Sequence, residues 1–221
     1  NINPIIRKDI LQFFQDIQPN KYERLYLQKF LGSGIDGTKN YELFHIFLGN
    51  TRGGKSMLSN ILNIALGQYY CNFAPKLFIH GVRSLAPSEL LLVKDARVVV
   101  VETEKINSVF MKCMTGDRVI RCRNFNTAHE VSFEPSHAII LLCNNVPKLN
   151  NNDNGVWNRS RIIEFPASFV DKQEKDDNEI FINHNLKEEV KEWGPQMMLL
   201  MLEWYQKFKK EGLSSKLLTR F

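Results

Sequence analysis

A glycine-rich stretch that begins at Phe47, FLGNTRGGKSMLSNILNIALG, combines the residue types that bind phosphate groups. Its glycines, lysine and serine fit the pattern G-x-x-x-x-G-K-[ST], in which glycines let backbone N–H groups curl around an anion. Lys55 would reach the β- and γ-phosphates, and the Ser56 hydroxyl would coordinate Mg²⁺. The alternative is a flexible turn before an ordinary helix. The pattern favours a nucleoside triphosphate site formed by Gly49, Asn50, Thr51, Arg52, Gly53, Gly54, Lys55 and Ser56.

Two acidic residues follow a run of four valines in the stretch ARVVVVETEKIN. Residues 98–101 suit a parallel strand that is buried on both faces. Ligands of open α/β sheets bind at the carboxyl ends of strands, where Glu102 is expected. A carboxylate there would hold the water shell of Mg²⁺ or polarise the attacking water, and Glu104 is a second candidate. The alternative for both residues is a solvated strand end.

Another apolar run, HAIILLCNN, ends in Asn144 and Asn145 shortly before Pro147. An amide at the tip of this strand would sense the γ-phosphate or orient water. Asparagine is also a common turn residue, so these side chains alone leave the two readings equal.

A predicted hairpin between the valine run and the asparagines carries several basic residues. Residues 119–125 and 129–133 are expected to pair, and this segment carries Arg118, Arg121, Arg123 and His129. Basic groups on a projecting hairpin suit a protein that follows a single nucleic-acid strand. The alternative is an edge hairpin with solvated charges.

The segment VWNRSRIIEFP contains Arg159 and Arg161 just before another predicted strand. An arginine in such a loop can contact the triphosphate bound by a neighbouring subunit, as an arginine finger does. Otherwise the two arginines are partners in surface ion pairs.

The elements that must position these residues alternate between strand and helix. The first forty residues have helical spacing in DILQFFQDI and YERLYLQKFL, and YELFHIFLG then predicts a buried strand. The stripe in MLSNILNIAL and the final WGPQMMLLMLEWYQKFKKEG predict two further helices. The pattern is typical of an α/β fold with a central, mostly parallel sheet.

Composition limits the classes of function. The 221 residues are 43% hydrophobic and 24% charged, which is enough for a sizeable core. We find no apolar run long enough for a transmembrane helix and no signal peptide, so we expect a soluble intracellular protein. Four cysteines without paired spacing predict reduced, mostly buried side chains. A net charge of +5 permits a polyanionic partner.

Taken in order, five segments resemble the motifs of superfamily 3 helicases, most closely the helicase domain of primase-helicases from large DNA viruses and phages. ELFHIFLGNTRGGKS resembles Walker A, ARVVVVETE Walker B, and KCMTGDRVIRCR the B-prime segment. LLCNNVPKL resembles the sensor strand, and VWNRSRIIEFP the arginine-finger segment.

The resemblance implies a role for individual residues. Lys55 and Ser56 would bind phosphate and Mg²⁺, and Glu102 would be the Walker B acid, with Glu104 as a further metal candidate. The N-x-x-P pattern of the sensor favours Asn144 over its neighbour, and W-x-R makes Arg159 the finger. The candidate DNA contacts are Lys112, Arg118, Arg121, Arg123 and His129. Gly53 stands where the family usually has asparagine, and a glycine is missing from TGD.

The resemblance also implies an AAA+-like core that forms a ring, usually a hexamer, with ATP between subunits and single-stranded DNA in the channel. We expect a helical collar over residues 1–40, the core over 41–170 and a helical segment over 171–221. A primase domain would lie outside this chain, and the protein would act in the host cytoplasm or at a viral replication site. The alternatives are a kinase of nucleosides or other small molecules, and a nucleotide-gated scaffold without turnover.

Overall fold

The chain begins with the two predicted helices. A computed structural model describes residues 2–38, 41–81, 87–116, 119–124, 129–149, 153–172 and 178–213. Helix α1 is Pro4–Ile17 and α2 is Lys21–Ser33. Asn3 and Asn20 begin these helices, because each side chain accepts hydrogen bonds from backbone N–H groups of the first turn. The helical interpretation of this segment is confirmed.

The fold is built around a five-stranded sheet. Its strand order is β2-β3-β7-β1-β9, with strands Tyr70–Asn72 (β2), Val98–Glu102 (β3), Ala138–Cys143 (β7), Phe44–Leu48 (β1) and Ser160–Glu164 (β9). β3 pairs in parallel with both β2 and β7. Phe44 N–H donates to Arg159 O, and Phe165 N–H donates to Leu48 O, so β1 and β9 also run in parallel. The predicted α/β fold with a mostly parallel central sheet is confirmed.

The described residues form two compact units. The first unit comprises residues 2–36, 47–67 and 163–213, and contains α1, α2, helix α3 (Lys55–Leu66) and helix α8 (Gly194–Glu211). Its core is aromatic: the rings of Phe13 and Phe14 meet Trp193 and Trp204. A parallel pair, β10 (Ser168–Val170) and β11 (Glu179–Phe181), also belongs to this unit, as does the short helix α7 (Leu186–Glu189).

The second unit comprises residues 37–46 and 68–162, and contains most of the sheet. A hairpin of β5 (Ile120–Arg123) and β6 (Glu130–Phe133) packs against the 3₁₀ turn Ser88–Val93. Short helices α4 (Lys76–His80), α5 (Ser108–Thr115) and α6 (Asn154–Asn158) also belong to this unit, and α5 contacts both α4 and α6. Strand β4 (Lys105–Ile106) pairs with β8 (Lys148–Leu149). The division at residues 40 and 170 stays a prediction.

The apolar residues that define one face of α3 and of α8 are buried, as their spacing predicts. In α8, Met197, Leu200, Met201 and Trp204 are all buried, and in α3 the same holds for Leu58, Ile61, Leu62 and Leu66. All four cysteines lie in the described part, and none is in a disulfide. In the part of the chain that the structure describes, every helix is too short or too polar to cross a membrane.

Candidate functional site

The predicted phosphate-binding loop, residues 49–56 and hereafter the phosphate loop, lies in the first unit and leads directly into α3. Lys55 is the first residue of that helix, and Gly54 precedes it with φ 84° and ψ −5°. This left-handed conformation favours glycine, and a glycine supplies no side chain to cap the helix. The first N–H groups of α3 therefore have no side-chain cap, which suits an anion at the positive end of the helix dipole.

Close packing leaves little room for a Cβ atom at three glycines of the loop. A Cβ atom on Gly49 would lie 2.4 Å from the carbonyl oxygen of Phe165, and one on Gly54 would lie 2.4 Å from Cγ2 of Ile17. A Cβ on Gly53 would lie 3.1 Å from Asn50 O, so the glycine that departs from the family pattern fits a tight, buried position. Side chains at these glycine positions would therefore occupy the space that the curved loop backbone leaves open.

The amine of Lys55 lies inside this curve. Its Nζ donates to the carbonyl oxygens of Gly49 and Asn50, the latter at 2.8 Å, and the residue is only 7% exposed. A phosphate that enters the loop would have to replace these carbonyl partners. Ser56 follows in the first turn of α3 and is exposed, so its hydroxyl is accessible to a metal ion.

A segment of residues 165–171 supports the loop from outside the glycine pattern. Phe169 N–H donates to Arg52 O at 3.0 Å, and the Asp171 carboxylate pairs with the Arg52 guanidinium at 3.2 Å. Arg52 has φ 62°, the one positive φ of a non-glycine among the described residues. Sequence reasoning missed Phe169 and Asp171, because a short strand and an acidic loop residue carry no signal of what they will contact.

The predicted acid of the valine strand lies in the second unit. Glu102 is the last residue of β3 and is exposed, whereas the four valines before it are buried. A carboxylate at such a strand end is open to solvent and to a hydrated metal ion.

Glu104 is held by the end of the neighbouring strand. Its Oε1 accepts hydrogen bonds from the backbone N–H groups of Asn144 and Asn145, at 3.3 and 3.1 Å, and from the Asn145 side chain at 3.2 Å. Asn144 and Asn145 are both exposed and directly follow β7. The structure therefore brings the second acid and the sensor candidates together.

The hairpin presents two of the predicted basic residues on one face. Arg121 and Arg123 are exposed, while the alternating Ile120 and Cys122 are buried. Across the hairpin Arg121 faces Ser132, and Arg123 faces Glu130.

The other predicted DNA contacts differ in their surroundings. His129 is exposed at the start of the second half of the hairpin, and Arg118 lies outside the described residues. Lys112, on α5, donates to Asp153 at 2.7 Å. The Asp153 carboxylate also accepts from Gly155 N–H at the start of α6, and its bond to Lys112 is the largest cause of a lowered pKa. Lys112 thus links α5 to α6.

Arg159 follows α6 and pairs with an acid of its own chain. Its Nε donates to Glu42 at 2.8 Å, and Nη2 bonds the same carboxylate oxygen. A guanidinium has five N–H donors, so this contact leaves three for other acceptors. Arg161, on β9, instead bonds backbone oxygens of Asn158 and Ser160. Sequence reasoning missed Glu42, because this residue matches no position of the phosphate-loop pattern.

No group of three or more His, Cys, Asp or Glu side chains comes together among the residues that the structure describes. Mg²⁺ bound with a nucleotide needs only one or two protein ligands besides phosphate and water. Ser56, in the first unit, and Glu102, in the second, each have an exposed oxygen ligand, while Oε1 of Glu104 already accepts three hydrogen bonds.

The chain is similar to viral proteins with helicase names. "Putative helicase L207/L206" of Acanthamoeba polyphaga mimivirus is 30% identical over an alignment of 221 positions, which covers 93% of this chain and 23% of that protein. "Putative helicase 184R" of Invertebrate iridescent virus 6 is 25% identical, with the same two coverages. The chain thus spans less than a quarter of these relatives. No protein-family model matches the chain.

Solved structures of the NrS-1 C-terminal region have a similar fold. One apo structure superimposes with a TM-score of 0.66 at 13% identity and covers 96% of this chain and 51% of that chain. Another, the A form, gives 0.63 at 15% identity and covers 88% and 43%. The chain has the fold of part of the NrS-1 C-terminal region.

Proposed function

We propose that this chain is the ATP-hydrolysing motor of a viral DNA helicase. The observation that carries the proposal is the phosphate loop, a glycine-lined backbone curve that ends in an uncapped helix and encloses a buried lysine amine. The helicase names of the viral relatives support the same function, because those alignments cover 93% of this chain.

The loop residues bind the triphosphate in this proposal. Lys55 exchanges its carbonyl partners for the β- and γ-phosphates, and the N–H groups at the start of α3 bind phosphate oxygens. Ser56 and Glu102 hold Mg²⁺, which when bound neutralises negative charge on the phosphates. Glu102 also polarises the attacking water, and Asn144 senses the γ-phosphate. ATP and Mg²⁺ are therefore the proposed cofactors.

We further assign the chain to the superfamily 3 helicases, of the type found in viral primase-helicases. In that assignment subunits form a hexameric ring, helices α1 and α2 contribute to its collar, and Arg159 reaches the nucleotide of the next subunit. Three N–H donors of Arg159 remain beyond the Glu42 contact, which suits a group that must still bind phosphate.

Single-stranded DNA is the proposed nucleic-acid partner, bound by the β5–β6 hairpin. The exposed Arg121 and Arg123 support this role, because they face solvent from the same side of the hairpin. A primase fused to or associated with this chain, and a site of action in the host cytoplasm or at a viral replication site, complete the proposal.

The rate of ATP hydrolysis per subunit tests the function, measured over a range of protein concentrations with and without single-stranded DNA. A ring motor with shared sites gives a rate that rises with concentration and is stimulated by DNA. A rate independent of both indicates a self-contained enzyme such as a kinase. Absence of turnover in an assembled protein that binds ATP indicates a scaffold.

Lys55→Ala tests the nucleotide site in the same assay. Removing the amine that faces the phosphates should lower ATP affinity by at least about tenfold and abolish hydrolysis. Lys207→Ala, which removes an exposed lysine of α8, is the matched control for the change in net charge. Calorimetric titration with MgATP gives the affinity of each variant. Wild-type affinity in Lys55→Ala would contradict the assignment.

A further inference from the structure

Two polypeptide segments in the second unit run side by side beyond the ends of β3 and β7. Thr103 N–H donates to Leu142 O at 3.3 Å, and Lys148 N–H donates to Glu104 O at 2.8 Å. The parallel pair β4–β8 continues this contact. The backbone of residues 103–106 is therefore fixed beside residues 142–149 without help from the Glu104 side chain.

The Glu104 carboxylate adds a different kind of contact. A single oxygen, Oε1, accepts from two consecutive backbone N–H groups, those of Asn144 and Asn145, and from the Asn145 amide. Three donors that converge on one acceptor restrict the turn that carries the two asparagine side chains. Because the surrounding backbone bonds remain when the carboxylate is removed, its loss should loosen the turn and leave the fold intact.

The chemistry of these bonds separates two possible roles of Glu104. A metal ligand needs the negative charge of a carboxylate, whereas an acceptor for N–H groups needs only an oxygen at the right place. The side-chain oxygen of glutamine can accept the same hydrogen bonds at nearly the same position. Glutamine therefore preserves a positioning role and removes a charge-dependent one.

We propose that Glu104 is a positioning residue, which fixes the turn after β7 and so orients Asn144 toward the γ-phosphate. This inference rests on the proposed function, since it concerns the same reaction. Glu102 then supplies the carboxylate for Mg²⁺, and the two acids of the ETE sequence have separate tasks: the first holds the hydrated metal, and the second holds the sensor.

Glu104→Ala and Glu104→Gln, compared with Glu102→Gln, test the inference in MgATP hydrolysis. We expect Glu104→Ala to lower the rate at saturating ATP by about tenfold or more, with ATP affinity unchanged, and Glu104→Gln to restore most of that loss. Glu102→Gln should lose activity although it is the same chemical change. If Glu104→Gln is as inactive as Glu104→Ala, the charge matters and the positioning role is wrong.

Hydrogen exchange of the Asn144 and Asn145 amides, followed by NMR, gives a readout that does not depend on turnover. Both amides should exchange slowly in the wild type and in Glu104→Gln, and at least about tenfold faster in Glu104→Ala. Equal exchange in all three proteins would overturn the inference. If the wild type does not hydrolyse ATP, the proposed function fails, while the exchange data still decide whether Glu104 holds the turn.

Discussion

At the scale of the residue, both cations of the proposed reaction are held by oxygens of their own chain. Lys55 bonds two carbonyl oxygens of its loop, and Arg159 bonds the carboxylate of Glu42. Each side chain is thus oriented before a phosphate arrives, which lowers the conformational entropy lost on binding. Each must also exchange or share a partner when it binds phosphate. The two contacts differ, because the bonds to Glu42 use only two of the five N–H donors of Arg159.

Arg159→Ala tests the arginine finger. We expect ATP binding to remain within about threefold of wild type and hydrolysis to fall by about 10³-fold, because the guanidinium acts on charge that develops in the transition state. Mixing Arg159→Ala with Lys55→Ala should restore part of the activity, since an intact site then faces an intact finger. If the two proteins demonstrably assemble together and no activity returns, Arg159 does not act between subunits.

The sequence identifies residues that belong to a motif and misses their partners. Lys55 and Ser56 follow from the spacing of the loop, but the local residues could not separate Asn144 from Asn145. Glu42 and Asp171 have no local signal, because their contacts to Arg159 and Arg52 join residues far apart in the chain. The tertiary fold alone brings such pairs together.

At the scale of the element, the phosphate loop depends on close approach between backbones. Gly49 lies against Phe165 O, so the loop and the end of β9 fit only when neither carries extra atoms there. Gly67 ends α3 and makes a suitable comparison, because a Cβ atom on it would have nothing within 4 Å.

Gly49→Ala should therefore damage nucleotide binding, whereas Gly67→Ala should not. The first variant forces the loop backbone away from Phe165, and we expect ATP affinity to fall by at least about tenfold. The second places alanine at φ 53° and should lower the free energy of unfolding by about 1 kcal/mol, with affinity unchanged. MgATP titration and thermal unfolding measure both. Equal affinities would show that the contact with Phe165 does not shape the loop.

The two arginines of the hairpin should contribute unequally to DNA binding. Glu130 faces Arg123 across the hairpin and offsets part of its charge, whereas Arg121 faces the neutral Ser132. Arg121→Ala should reduce the slope of log K against log salt for single-stranded DNA by about 0.7, and Arg123→Ala by less. Fluorescence anisotropy at several salt concentrations gives the slopes.

Glu130→Gln is the matched test of this asymmetry. Removing the acid should strengthen DNA binding. In the Glu130→Gln background, Arg123→Ala should then weaken DNA binding by a factor similar to that of Arg121→Ala. If binding is unaffected by all three substitutions, the hairpin does not contact DNA.

Hydrophobic spacing predicts the long elements well and the short ones poorly. The period of the apolar residues indicates α1, α2, α3 and α8, and the runs of branched residues indicate β1, β3 and β7. The pairs β4–β8 and β10–β11 have strands of only two or three residues, too short for any period. Two of these strands nevertheless adjoin candidate site residues, since β4 follows Glu104 and β10 contains Phe169.

At the scale of the whole molecule, a buried histidine links stability to pH. His45 lies in β1 and is 1% exposed, and burial lowers its pKa from 6.5 to about 3, with help from the charge of Arg161. The folded protein keeps this imidazole neutral, while the unfolded chain binds a proton below pH 6.5. The free energy of unfolding is therefore unaffected by the protonation of His45 above pH 6.5, and it decreases as the pH falls from 6.5 toward 3.

Urea unfolding at pH 7 and pH 5 checks this linkage against His45→Gln, which cannot titrate in this range. The wild type should lose about 2 kcal/mol more of its free energy of unfolding than the variant does between these two pH values. Other groups with shifted pKa values, such as Glu23, affect both proteins alike. Identical pH dependence in the two proteins would show that folding does not lower the pKa of His45.

The residues that pack against the phosphate loop come from distant parts of the chain, so the ribosome synthesises them at different times. Ile17 and Phe169 both lie against Gly54, one from α1 and one from β10. A ribosome delivers the GKS sequence long before it delivers Phe165 and Phe169. A nascent chain that has only just completed α3 therefore carries the nucleotide motif without its cradle. In the proposed function, the loop can bind ATP only after β9 and β10 have emerged from the ribosome, about a hundred residues after the GKS sequence.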